Sequence, residues 1–259
     1  MKVRPQHALI TGGGGAIGNA IAKCLIRRGL ALRITLVDID EKAAQSNASS
    51  LGHDTHAVAW DLSRTDDLPR LYEELTRDRG TVDWLFNCAG IMEVQTFASL
   101  PWDTCTRTLR INLESPLRLM SLAVPAMIER GSGVVVNVTS MAGVTPIKGC
   151  ALYGASKAGL SMASEIARME LAAKGVRVVT VYPGPVSSAL ERRARAQLAH
   201  TPATRWIPVG KPDELAERVI DACVHGKPRV AYPAIYDVAS RLPQLTRLLT
   251  ERLSPEPRV

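Results

Sequence analysis

The chain has 259 residues, of which 46% are hydrophobic and 22% charged, and a formal net charge of +7. That composition excludes a disordered or low-complexity chain and suffices to bury a large core. With no apolar run of roughly 18 residues and no signal-peptide core, the expectation is a soluble, cytoplasmic protein without stable membrane insertion. The five cysteines (Cys24, Cys88, Cys105, Cys150, Cys223) include no Cys-x-x-Cys and fit reduced thiols rather than a zinc site or a disulfide framework. His53 and His56 are a close pair with no third ligand nearby, so no metal is expected. Basic residues are scattered apart from Arg192, Arg193 and Arg195, and without an accompanying recognition motif they imply no nucleic-acid partner.

His7 to Thr11 reads as a short apolar strand, followed at once by Gly12, Gly13, Gly14, Gly15, Ala16, Ile17 and Gly18. Ile17, Ala20, Ile21, Leu25 and Ile26 then recur at helical spacing until Gly29. Strand, glycine turn and helix together let a pyrophosphate approach backbone N–H groups at the positive end of the helix. A second strand, Leu32 to Val37, ends at Asp38, 20 residues after Gly18. A carboxylate there accepts hydrogen bonds from both adenosine ribose hydroxyls and repels a 2′-phosphate. Glu41 to Leu51 predicts a helix, and Thr55 to Trp60 a third strand running into Asp61 and Leu62. Asp61 either receives an adenine amino group or serves as a helix cap. Leu68 to Arg79 is an amphipathic helix and Val82 to Phe86 a fourth strand. The small side chains of the next turn, Asn87-Cys88-Ala89-Gly90, leave room for a flat ring or a ribose.

Pro101 to about Arg130 is a long helical stretch that Pro116 and Pro125 should interrupt, and its Asn112 lies between Ile111 and Leu113, where a buried amide needs partners. Gly133 to Ser140 is a β-branched run that delivers Ser140 to the carboxyl edge of the sheet, where open α/β sheets bind ligands. Tyr153 and Lys157 are four residues apart, on one face of a helix reaching about Lys174. A nearby ammonium favours the phenolate, and lowering a tyrosine pKa by about 3 units takes roughly 4 kcal/mol. The result would be a general acid/base for proton transfer to or from an alcohol oxygen. Gly175 ends the helix, Val176 to Tyr182 is strand six, and Pro183-Gly184-Pro185 breaks the chain. Pro212 to Val224 and Arg229 to Tyr232 supply a last helix and strand. The alternation predicts an α/β, doubly wound, mostly parallel sheet of about seven strands with helices on both faces. Residues 1–233 would form one domain with a substrate lid at about 186–210. Residues 234–259 would be an amphipathic extension, weakened by Pro243, that packs on a neighbouring subunit or over the active site.

Taken jointly, these motifs resemble the short-chain dehydrogenase/reductase family in its compact, single-domain branch, from His7 to about Tyr232. Thr11-Gly12-x-x-x-Ala16-x-Gly18 resembles the family's cofactor loop, and Asn87-Cys88-Ala89-Gly90 its Asn-Asn-Ala-Gly turn, with Cys88 at the second Asn. Asn112, Ser140, Tyr153 and Lys157 follow the order of its catalytic tetrad. Gly15 also satisfies the glycine pattern of longer epimerase relatives, and Ser188 stands where the family usually has Thr.

The resemblance implies Tyr153 as acid/base, Lys157 lowering its pKa and binding the nicotinamide ribose, Ser140 polarising the substrate oxygen, and Asn112 holding the helix and a proton-relay water. It implies a cofactor held by Gly12, Gly14, Gly15, Ala16, Ile17, Gly18, Asp38, Asp61, Leu62, Asn87, Ala89, Gly90, Tyr153, Lys157, Pro183, Gly184, Val186 and Ser188. Acidic Asp38 favours NAD over NADP. A homodimer or homotetramer is implied through the 101–130 and 153–174 helices.

The expected reaction is hydride transfer between NAD(H) and a secondary alcohol or ketone. Epimerisation or dehydration at the same residues, and a non-catalytic dinucleotide sensor, are the alternatives. Val186, Leu190, Leu198, Trp206 and Ile207 in the lid, with Ile91, Met92, Met141, Val144 and Ile147, suggest a hydrophobic substrate such as a steroid, terpenoid or acyl derivative. Arg192, Arg193 and Arg195 suggest a site for an anionic tail.

Overall fold

A computed structural model describes residues 6–30, 33–199, 208–237, 246, 250–251 and 254–257. Strands β1 (His7–Thr11), β2 (Arg33–Asp38), β3 (Asp54–Ala59), β4 (Trp84–Asn87), β5 (Gly133–Val138), β6 (Val176–Pro183) and β7 (Arg229–Tyr232) form one parallel sheet in the order β3-β2-β1-β4-β5-β6-β7. Helices α1 (Ala16–Arg27), α2 (Glu41–Leu51), α3 (Leu68–Arg79), α4 (Trp102–Leu109), α5 (Ser115–Glu129), α6 (Ala151–Leu171), α7 (Ala189–Ala196) and α8 (Pro212–His225) connect and cover it. The sheet order reverses between β1 and β4, and a crevice opens there beyond the carboxyl ends of the strands.

Both faces of the sheet are buried, which is why its strands read as nearly continuous apolar runs. Ala8, Ile10, Phe86, Val134 and Val136 pack against α1 and α8, while Leu9, Leu85 and Val135 point the other way, against α3 and α5. This period-two division assigns neighbouring residues of one strand to two separate cores.

The interruption expected at Pro116 and Pro125 lies elsewhere. Residues Arg110–Glu114 form one π-helical turn between α4 and α5, and this turn contains Asn112. Pro116 follows directly on that π turn, in the first turn of α5, and Pro125 lies inside α5 without ending it. Packing of Leu119, Met120, Ala123 and Met127 offsets the one lost helical bond. The lid's first part, seen in the sequence only as a change in composition, contains α7, capped by Ser188, whose Oγ accepts from Glu191 N at 3.1 Å. Trp206, Ile207 and Pro243 lie outside the described residues.

A buried polar pair fastens α6 to the sheet. Asn87 and Asn137 are directly opposed on β4 and β5, and Asn87 Nδ2 donates to Asn137 Oδ1 at 2.8 Å. Asn137 Nδ2 in turn donates to Ser164 Oγ on α6 at 2.7 Å. Asn137→Ala removes one hydrogen bond from each of two buried polar groups and should lower the free energy of unfolding by about 2 kcal/mol, measured by urea denaturation.

Candidate active site

The glycine turn is held open by close packing. Gly12 has φ +69°, and a Cβ there would lie 2.9 Å from the Ala89 backbone. Thr11 Oγ1 accepts from Cys88 N (3.1 Å) and Ala89 N (3.2 Å), which locks the β1 and β4 turns together. Helix α1 begins with no side-chain cap and no acidic residue in its first turn. Gly15, Ala16 and Ile17 of that first turn line the cavity. An open helix N-terminus at the wall of a crevice fits a pyrophosphate.

Asp38 ends β2 beside this turn, with Oδ2 accepting from Gly14 N (2.9 Å) and Oδ1 from Asp40 N (3.0 Å). Each oxygen keeps a lone pair for a ribose hydroxyl. Asp61 Oδ1 accepts from Ser63 N at 2.9 Å. Burial pushes the Asp61 carboxyl up, but the bonds from Ser63 and the charges of Arg107 and Arg64 outweigh it and hold the group below its usual range. It therefore remains an acceptor at neutral pH.

All these groups face one cavity of about 1130 Å³, large enough for a dinucleotide and a small substrate together. Gly12, Gly14, Gly15, Ala16, Ile17, Gly18, Asp38, Asp61, Leu62, Ala89, Gly90, Pro183, Gly184, Val186 and Ser188 line it, with Ser140, Tyr153 and Lys157 on the wall farther along. Two of the expected site residues lie behind the wall instead. Asn87 Nδ2 donates to Asn137 and its buried Oδ1 has no partner among the described residues, while Cys88, Ala89 and Gly90 are the part of the turn that lines the cavity. Asn112 is fully committed: its Oδ1 accepts from Ile91 N (2.9 Å), and its Nδ2 donates to Ile91 O (2.9 Å) and Ser156 Oγ (3.2 Å). Its side chain therefore braces the turn after β4 against α6. Of the apolar candidates, Ile91, Met92, Met141, Ile147, Leu190 and Leu198 line the cavity and Val144 does not; of the basic ones, Arg193 and Arg195 do and Arg192 does not.

Ser140 lies two residues beyond β5, as the cap of a short turn at Met141–Gly143, its Oγ accepting from Ala142 N at 3.1 Å. The hydroxyl acts on the Tyr153 phenol to lower its pKa. Lys157 Nζ donates to Val138 O at 2.9 Å and sits 6.0 Å from the Tyr153 ring centre.

Burial raises the Tyr153 phenol above its ordinary value, and the Ser140 hydroxyl only partly opposes this. Burial also brings Lys157 down to about 8. Lys157 Nζ, bonded to a backbone carbonyl and 6.0 Å from the ring centre, is the positive charge beside the phenol.

Several contributors lacked a local signal in the sequence. Ile39 and Trp60 line the cavity next to Asp38 and Asp61. Tyr236 packs on Gly184, where an added Cβ would fall 2.3 Å from Tyr236 Cε2. Thr246, Thr250, Ser254 and Pro255 also line the cavity, so the described part of the 234–259 extension packs over the site within its own chain.

A parallel sheet of this order, with an uncapped glycine turn at its crossover, defines a dinucleotide-binding α/β protein. Residues 6–199 match the family model described as short chain dehydrogenase. The chain belongs to that family of oxidoreductases, which bind a nicotinamide dinucleotide. It is 34% identical over 211 residues to carbonyl reductase family member 4 of Danio rerio, covering 81% of this chain and 86% of that one. It is 32% identical over 219 residues to acetoacetyl-CoA reductase of Allochromatium vinosum, covering 82% and 88%. A short-chain dehydrogenase from Sphingobium yanoikuyae, solved in complex with NADPH, superposes with a TM-score of 0.80 at 25% identity, covering 96% of both chains. Among the described residues no helix is long and apolar enough to cross a membrane.

Holding a charged Lys157 in the fold is costly. Between pH 8 and 10.5 the unfolded chain binds a proton that the folded chain has released, so stability rises with pH through that window. Below it the penalty is about 3 kcal/mol. Lys157→Met removes the penalty and loses one hydrogen bond worth about 1 kcal/mol. At pH 7 the variant should be more stable than wild type by about 1–2 kcal/mol, and near pH 11 the advantage should vanish, as read by urea denaturation at the two pH values.

Proposed function

We propose that the protein interconverts a secondary alcohol and a ketone using NAD(H), with Tyr153 as the proton donor and acceptor. The observation that carries this reading is the convergence of Ser140, Tyr153 and Lys157 on one wall of the cavity that also holds the glycine turn and Asp38. Bound in this cavity, the nicotinamide supplies or accepts the hydride. The first turn of α1 would hold its pyrophosphate, Asp38 the adenosine ribose, Asp61 and Leu62 the adenine, and Ala89 and Gly90 the middle of the molecule. Pro183, Gly184, Val186 and Ser188 would flank the nicotinamide end. Ser188 already caps α7 as an acceptor, so its contribution there is its O–H.

In reduction, Tyr153 gives its proton to the carbonyl oxygen; in oxidation it takes the proton back. Its raised pKa keeps it a proton donor at neutral pH. Ser140 Oγ, already accepting from Ala142 N, directs its own proton at the phenol or at the substrate oxygen. Lys157 serves as a buried positive charge beside the phenolate formed in the transition state, where a low-dielectric setting strengthens the interaction. Asn112 keeps the turn after β4 and α6 in register. The relatives named carbonyl reductase and acetoacetyl-CoA reductase support a carbonyl substrate. The apolar wall of Met92, Met141, Ile147, Leu190 and Leu198 supports a hydrophobic one. Exposed Phe97, Trp102, Met162, Ile166 and Met169 on and beside α4 and α6 support assembly of the chain with copies of itself.

Tyr153→Phe should bind NADH as wild type does, measured by fluorescence, yet lose about 10²–10⁴-fold in kcat with a ketone. Turnover retained in that variant removes Tyr153 from the mechanism. Although the Sphingobium neighbour was solved with NADPH, the carboxylate of Asp38 supports NAD here. NADH should bind at least about tenfold tighter than NADPH, and Asp38→Asn should narrow the difference, as read by titration with both cofactors.

A further inference from the structure

Four stretches of chain meet at the substrate end of the cavity. Residues 92–95 and 147–150 are joined by the bond from Gln95 N to Gly149 O at 2.9 Å. The end of α7 joins the first of these through Gln197 Oε1, which accepts from Val94 N at 3.3 Å. Residues 254–257 then bridge the other two. Ser254 Oγ accepts from Lys148 N at 2.9 Å, and Glu256 O accepts from Ala199 N at 2.8 Å. Pro257 pairs with Leu198 in an antiparallel bridge and packs on Gly149, where an added Cβ would lie 2.7 Å from Pro257 Cγ. The Glu256 carboxylate closes the arrangement on the Lys148 ammonium, 108 residues away in the chain.

Beneath this clasp lies a small apolar cluster of Val94, Cys150 and Ala194, against which Met92, Ile147, Leu198 and Tyr153 pack. Ser254 and Pro255 line the cavity directly, whereas Lys148 and Glu256 stand outside it. The pair therefore touches no substrate and acts by holding the wall.

We infer that the Lys148–Glu256 pair sets the size of ketone that reaches Tyr153, by fastening residues 254–257 across the substrate end of the cavity. This rests on the alcohol/ketone reading above. A ketone small enough for the closed cavity is indifferent to the clasp. A bulky one requires residues 254–257 to lift, and its kcat/KM scales with the fraction of molecules in which they have lifted. Both side chains are substantially exposed, 45% and 67%, so the pair acts as a modest latch on top of the backbone bonds, and its loss should raise the open fraction by up to about fivefold.

The test compares wild type, Lys148→Glu, Glu256→Lys and the double exchange, using NADH with cyclohexanone as the small ketone and benzophenone as the bulky one. Each single reversal should leave kcat/KM for cyclohexanone unchanged and raise the benzophenone-to-cyclohexanone ratio by about threefold to fivefold, and the double exchange should return the ratio to the wild-type value. An equal ratio in all four proteins, or a double exchange that stays as permissive as the single variants, overturns the inference. If wild type reduces neither ketone, the alcohol/ketone reading fails. Amide hydrogen exchange at Lys148 and Ala199 then judges the clasp without turnover: faster exchange in the single variants, restored in the double exchange, supports it, and unchanged exchange overturns it.

Discussion

The site is organised around a charge that the fold shelters at a cost. Lys157 Nζ is buried at the carboxyl edge of the sheet, held by Val138 O at the end of β5, and desolvation brings it down to about 8. Few positions would tolerate such a group, and the surrounding structure is arranged to keep it there. The Asn87–Asn137–Ser164 chain pins α6 to β4 and β5. Asn112 pins the same helix to the turn after β4 through Ser156 and Ile91. These buried amides are fastenings, and each ties the helix bearing Tyr153 and Lys157 to a strand end that faces the cavity.

This arrangement changes how the proton chemistry is understood. A tyrosine and a lysine one turn apart suggest a phenol already made acidic by its neighbour. In the free protein burial raises the phenol, the Ser140 hydroxyl opposes that in part, and the ammonium donates to a backbone carbonyl. In the oxidative direction, a bound cofactor whose oxidised ring carries positive charge would add to Lys157 in stabilising the phenolate.

Much of this was legible in the amino-acid sequence because the signals are local. The continuous apolar runs of β1 and β5, the glycine turn followed by a 3.6-residue repeat, and Asp38 at the end of β2 each express a short-range constraint that survives without tertiary context. The bounds of α2, α3 and β7 follow from such signals almost residue for residue. What stayed hidden depends on distant contacts. The pairing of Asn87 with Asn137, 50 residues away, has no local mark in the sequence. The prolines of α5 look like breaks until packing is known, whereas the π-helical turn at Asn112 has no compositional mark. Tyr236 and residues 254–257 reach the cavity only because the chain returns over it, and no periodicity encodes that return.

The most direct measurement of the central claim is the titration of Tyr153 itself, by carbon-13 NMR of ring-labelled tyrosine with Tyr153→Phe as the assignment control, in the free protein and with saturating NAD⁺. The account predicts a phenol pKa above the ordinary 10.0 in the free protein and a clear fall when the cofactor is bound. A phenol already well below that value without cofactor, or one that NAD⁺ leaves unmoved, would contradict it.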